Sequence, residues 1–199
     1  VAQRQWQLDR ILIVDFDVHH GNGTQEIFYA DRGVLYFSTH QVPLYPGTGS
    51  VDERGTGDGL GYTVNVPLMP HVGDVGYARV FDEILAPLAA RYRPQLILVS
   101  AGFDGHWSDP LASMDLSIAG YGKLVQRLLD LAGEHCQGKL GIVLEGGYRY
   151  EVLAHSVLTT LRLLEDRQAA ISDPLGPSPN AERPVDYILR KVREAHGWQ

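Results

Sequence analysis

The sequence predicts an α/β domain in which a largely parallel sheet carries helices on both faces. Three observations point there. Short apolar runs rich in β-branched residues recur along the chain, helical spacing fills several of the gaps between them, and 199 residues with 44% hydrophobic and 21% charged side chains suffice for one packed core. Residues 11–16 (ILIVDF), 34–38 (VLYFS), 96–101 (LILVSA) and 140–145 (LGIVLE) read as strands buried on both faces. Residues 62–66 are a further strand, closed by Pro67. Val80, Ile84 and Leu88 mark a helix that kinks or ends near Pro87. Tyr121, Leu124, Leu128 and Leu131 form a second apolar stripe, widened by Val125 and Leu129, with Ser117 as its N-cap. A third helix covers 152–164, with Val157 and Leu161 on its apolar face, and a short one covers 185–195. Between these two, residues 172–184 (SDPLGPSPNAERP) form a Pro-rich surface loop. No repeat or linker divides the chain, so 1–199 reads as one domain or the larger part of one.

Composition narrows the function. No apolar run approaches the roughly 20 residues that span a bilayer, and VAQRQWQLDR lacks a signal-peptide core. A lone cysteine, Cys136, excludes an internal disulfide and a cysteine-cluster metal site, and reads as a small residue late in a helix. A net charge of −7 argues against direct nucleic-acid binding. A cytoplasmic location is the expectation. The first residue is Val, which suggests a chain cut or processed from something longer.

Ligands of open α/β sheets bind beyond the carboxyl ends of the strands. Three runs here end in loops loaded with chemistry: DFDVHHGNG, GFDGHWSDP and GGY. Asp17 and His19 alternate around Val18, so both can face one way, and Asp104 can join them from another strand end. One imidazole and two carboxylates, with a position left for water, suit a catalytic divalent metal. Alone, D-x-H fits solvated loop residues equally well; placement at strand ends favours the metal. Asp15 lies within an apolar run, where an unpaired carboxylate is expensive. A structural role, including a second cation, suits it as well as catalysis does. Alternation sends His20 to the opposite side from His19, which favours a structural role. Tyr148 follows two glycines; its hydroxyl is either an oxyanion donor or an ordinary turn tyrosine.

DFDVHHGNGT, YPGTGS, VNVPL, SAGFDGHWSDPLA and LEGGY occur in the order found in histone deacetylase-like enzymes, which the chain resembles from about Asp9 to Leu164. GFDGHWSDPLA and Asn22 look more like the class II and acetylpolyamine amidohydrolase branch. The resemblance implies an arginase/deacetylase-type fold and hydrolysis of an N-acetyl amide, on an acetyl-lysine protein or an acetylpolyamine. It implies Asp17, His19 and Asp104 as zinc ligands, a site that Fe(II) or Co(II) also suits, and Tyr148 as the hydroxyl that polarises the acetyl carbonyl. It implies a structural potassium site made by Asp15, the main-chain oxygens of Asp17, His19 and Thr39, and the Ser38 side chain. Asp15 and Asn22 would stand behind the family's acid–base histidines, and Tyr45 and Leu111 would line the acyl channel. That histidine pair lies upstream of D-x-H in the family, whereas no histidine precedes Asp15 here. The chain therefore reads as a C-terminal portion of the catalytic domain, inactive alone. A homo-oligomer is compatible with this reading. The competing readings are an inactive module that binds an acetylated ligand or a partner and, more distantly, a binuclear ureohydrolase, for which Gly21 stands where a further carboxylate is expected.

Overall fold

A computed structural model describes residues 2–198. Five strands, β1 (Ile11–Asp15), β2 (Val34–Gln41), β3 (Thr63–Leu68), β4 (Leu96–Ala101) and β5 (Leu140–Leu144), make one sheet in the order β3-β2-β1-β4-β5. Every neighbouring pair is parallel. The helices are α1 (Ala2–Trp6), α2 (Asn22–Phe28), α3 (Asp74–Val80), α4 (Ala86–Tyr92), α5 (Ile118–Cys136), α6 (Tyr150–Glu165) and α7 (Asp186–His196).

The pleat divides the strands between two cores. Leu12, Val14, Leu35, Phe37, Val64, Val66, Ile97 and Val99 join α3, α4, α5 and α7 in the main core. Ile11, Ile13, Val34 and Tyr36 face the other way into a smaller cluster closed by Ala2 of α1 and Phe28 of α2. The mostly parallel sheet with helices on both faces thus matches the sequence reading.

Three expectations, about strand burial and the two prolines, need correction. Burial on both faces holds for β1 and β2 but fails at β5, where Val143 and Leu144 are 58% and 53% exposed. β5 is an outer strand, and the helix that follows it packs on α5. Pro67 does not close β3: the strand continues to Leu68, because an outer strand can place a residue without an N–H where no ladder bond is needed. Pro87 neither ends nor breaks its helix. It sits in the first turn of α4, directly after a π-helical turn over Phe81–Leu85. Proline removes one intrahelical bond and crowds the carbonyl four residues back, and the wider turn absorbs both effects.

The α5 reading needs no change. The Ser117 hydroxyl accepts the Gly120 N–H at 2.9 Å, and Tyr121, Leu124, Leu128 and Leu131 are buried. Cys136, the last residue of α5, is buried. On α6 the inward side is Val152, Ser156, Thr160 and Leu163, while Leu161 points out at 58% exposure. The apolar face expected there was therefore drawn one position off at Leu161. Residues 172–184 contain neither helix nor strand.

Candidate metal centre

β1 and β4 are neighbours, with Asp15 opposite Ser100, so the residues that follow each strand leave the sheet side by side. Asp17 and His19 come from the first exit and Asp104 from the second. Their ligand atoms lie within 4.8 Å of one another. His19 Nδ1 is 3.0 Å from Asp17 Oδ1 and 3.3 Å from Asp104 Oδ2. The backbone sets this geometry: Asp17 Oδ1 accepts the His19 N–H at 2.8 Å, and Asp104 Oδ1 accepts the Val18 N–H at 3.0 Å. Two glycines let the chain pass close by. A Cβ on Gly102 would fall 2.2 Å from Asp17 Oδ2, and one on Gly146 would fall 2.0 Å from Asp104 Oδ2. The Gly146 N–H instead donates to Asp17 Oδ2 at 2.9 Å.

Asp104 is fully buried, and its Oδ2 has no hydrogen-bond partner among the described residues. Burial, then the negative charge of Asp17, hold its carboxyl well above the usual carboxylate range. A cation would satisfy this unpartnered buried oxygen beside a second carboxylate and an imidazole nitrogen, and the N,O,O donor set fits a divalent transition metal.

Tyr148 is half-exposed at the rim. Its hydroxyl is held above its ordinary value by partial burial, with the charges of Asp104 and Asp17 adding to that, so it stays protonated at neutral pH. Asp15 is 3% exposed; burial pushes it up to about 8, against the hydrogen bond from Tyr36 at 2.9 Å. Its partner strand presents Ser38 directly opposite, and the Thr39 hydroxyl donates to the Asp15 carbonyl at 3.4 Å. The Ser38 hydroxyl is engaged with His40 Nδ1 at 3.0 Å. Asn22 opens α2 on the surface, its N–H donating to the His20 carbonyl at 2.8 Å. Tyr45 and Leu111 stand 78% and 51% exposed.

His20 does not join the triad. Its Nε2–H donates to Gln25 Oε1 at 3.1 Å, and its Nδ1 lies 2.7 Å from the Thr48 hydroxyl. Asp109, 6% exposed, was missed by the sequence reading. Its Oδ2 accepts the Tyr148 N–H at 2.8 Å and its Oδ1 the Leu111 N–H at 3.0 Å. The signal available was an Asp before Pro in a loop, a residue type that caps nearby backbone N–H groups.

The strand ends of this parallel α/β sheet thus carry a nitrogen-and-oxygen triad that could hold a metal ion. Residues 1–164 match the histone deacetylase domain model, and the chain belongs to the histone deacetylase family. It is 54% identical over 143 residues to a probable deacetylase of Archaeoglobus fulgidus, covering 72% of this chain and 40% of that one. It is 45% identical over 196 residues to the chloroplastic histone deacetylase 10 of Oryza sativa, covering 98% and 43%. The solved HDA15 HD domain superposes with a TM-score of 0.80 at 36% identity, over 95% of this chain and 51% of that one. The histone deacetylase Clr3 gives 0.80 at 35%, over 98% and 32%. The chain thus spans under half the length of these two curated relatives. Among the described residues, no helix is long and apolar enough to cross a membrane.

Proposed function

We propose that this chain carries the metal-binding part of a zinc-dependent deacetylase that hydrolyses an N-acetyl amide to a free amine and acetate. One observation carries the reading: Asp17, His19 and Asp104 converge within 4.8 Å, with an unpartnered buried oxygen among them. A zinc ion bound there supplies an acidified water and polarises the acetyl carbonyl; Fe(II) or Co(II) suits the same donors. Tyr148, protonated and at the rim, donates its hydroxyl proton as a hydrogen bond to the carbonyl oxygen as charge develops on it. The water oxygen would bond to the acyl carbon as the C–N bond breaks, and the proton that the water loses would pass to the leaving nitrogen, giving acetate and a free amine.

Asp15 belongs to a second, structural cation site in this proposal, with Ser38 and the main-chain oxygens of Asp17, His19 and Thr39 around potassium. Asp15 and Asn22 would also back the acid–base histidine pair that the family carries upstream of this motif. Tyr45 and Leu111 flank the path of the acyl chain, and their exposure fits a channel mouth. The substrate is an acetyl-lysine protein or an acetylpolyamine, met in the cytoplasm without nucleic-acid or membrane contacts. Residues 1–199 alone turn over little, because both ring nitrogens of His20 are already engaged and no histidine precedes Asp15 to act as acid–base partner.

The test is Tyr148→Phe in the full-length, zinc-loaded protein, with steady-state kinetics on an acetyl-lysine peptide and an acetylpolyamine. kcat falls by about 10²–10³, roughly 2.7–4 kcal/mol, while KM and metal content hold. An active protein whose kcat is unmoved refutes the role of Tyr148. A metal-loaded wild type that binds both ligands and turns over neither supports the inactive binding module instead.

A further inference from the structure

We propose that Asp109 is a positioning residue that aims the Tyr148 hydroxyl, and that one buried carboxylate thereby ties the channel rim to the oxyanion donor. This rests on the reading of Tyr148 given above.

The two residues before Tyr148 explain why it needs an anchor. Gly146 is fixed from both sides: its N–H donates to Asp17 Oδ2 at 2.9 Å and its carbonyl accepts the Phe103 N–H at 2.9 Å. Gly147 has φ +133°, a backbone region that side chains rarely adopt. Without a Cβ, its backbone has more conformations open to it than that of any other residue. Any residue placed immediately after it inherits that freedom unless its own backbone is tied down. The tie is Asp109 Oδ2, which accepts the Tyr148 N–H at 2.8 Å from 39 positions earlier in the chain. Tyr148 is thus held two residues back by the proposed metal ligand Asp17 and at its own amide by Asp109, with Gly147 between.

Asp109 is itself rigidly mounted. Its N–H donates to the His106 carbonyl at 2.9 Å, closing a turn. The fully buried His106 accepts the Ser108 N–H on Nδ1 at 3.2 Å, with the Ser108 hydroxyl 2.8 Å away. That turn begins two residues after Asp104, so the anchor and the metal ligand share one loop. The other carboxylate oxygen accepts the Leu111 N–H at 3.0 Å. Both oxygens face an N–H donor, and only a carboxylate offers two acceptors here. Asparagine would turn an NH2 toward either Leu111 or Tyr148. A misplacement of about 1 Å at a reacting group costs on the order of 10² in rate, so loss of this tie acts on kcat rather than on substrate binding.

The experiment is a double-mutant cycle in the full-length, zinc-loaded protein with an acetyl-lysine peptide, using Asp109→Asn, Tyr148→Phe and the pair. Asp109→Asn lowers kcat by about 10²-fold with KM nearly unchanged. On the Tyr148→Phe background the same substitution costs less than about 3-fold, because the hydroxyl it aims is gone. Hydrogen exchange at the Tyr148 amide quickens in Asp109→Asn. Should that variant not fold, Asp109→Glu, which keeps the charge and both acceptors but displaces them, carries the same cycle. Multiplicative losses in the cycle, or an unchanged kcat in either Asp109 variant, overturn the proposal. A Tyr148→Phe protein with wild-type kcat overturns the role of Tyr148 instead, so the two failures are distinct.

Discussion

His19 and His20 are adjacent in sequence and lie in opposite kinds of surroundings. On the β2 side, His20 sits in a polar network whose members satisfy one another. His20 donates to Gln25, Gln25 donates to Glu53 at 2.6 Å, and Asn65 donates to Gln25 at 2.7 Å. Glu53 then accepts the Gly49 and Ser50 N–H groups at 3.0 and 2.9 Å. His40, its ring centroid 4.7 Å from that of His20 and tilted by 50°, donates to the Gly49 carbonyl at 3.0 Å. On the β4 side, His19 faces two carboxylates, one of them with an unpartnered buried oxygen. Among the described residues, the first cluster is nearly closed by protein alone, with Asn65 Oδ1 its one buried atom left without a partner. The second sets two carboxylates beside an imidazole, an arrangement that a bound cation would complete. Buried polar groups that bond to each other stabilise a fold, whereas buried groups that repel each other mark where a ligand belongs.

The comparison breaks first at Asp104. In the full-length protein, Asp104→Asn abolishes stoichiometric zinc and lowers kcat/KM by about 10³ or more, several kcal/mol of lost metal assistance. Metal analysis and steady-state kinetics check both. Retention of one ion per chain would show that the open cluster is not a cation site.

Gly146→Ala sharpens the same side without replacing any of the three triad residues. The new Cβ falls 2.0 Å from Asp104 Oδ2 and 2.7 Å from Asp17 Oδ2, so the carboxylates must shift. Zinc affinity measured by chelator competition falls by about 10–100-fold, the usual effect of disturbing the groups that orient a metal's ligands.

Gln25→Ala tests the closed side. It strands the His20 Nε2–H and leaves Glu53 and Asn65 each short of a partner. Denaturant unfolding shows a loss of about 1–3 kcal/mol while zinc content stays at one per chain. A variant that loses zinc as readily as Asp104→Asn would erase the distinction between the clusters.

The smallest effect is a pH slope. Burial, with His20 adding, drives His40 from 6.5 down to about 3, so the folded protein keeps it neutral where the unfolded chain takes up a proton. Its contribution to stability is therefore present above pH 6.5 and is lost as pH falls toward 3. Between pH 7 and 5 this site removes at most about 2 kcal/mol. Thermal unfolding across that range is flatter in His40→Gln, and an unchanged slope would mean that His40 is not the group responsible.

Much of this was legible in the chain itself. The short apolar runs rich in β-branched residues marked all five strands, and Ser117 with its stripe marked α5, because both signals are local. The D-x-H alternation put Asp17 and His19 together for the same reason. β5 shows where local reasoning ends: LGIVL reads as an inner strand, yet its place at the sheet edge leaves Val143 and Leu144 in solvent. Burial depends on what lies across from a strand, and that is a property of topology. Asp109 marks the same limit more sharply. Its two acceptor oxygens and its place before Pro110 were visible in sequence, but its partner stands 39 residues away. The sequence by itself determined which residues can bind a metal or donate a proton, since that chemistry is carried by side-chain type and spacing. Only the tertiary structure decided that Asp104 meets Asp17 and that Asp109 holds Tyr148, because the parallel pairing of β1 with β4 and of β4 with β5 brings those distant loops to one end of the sheet.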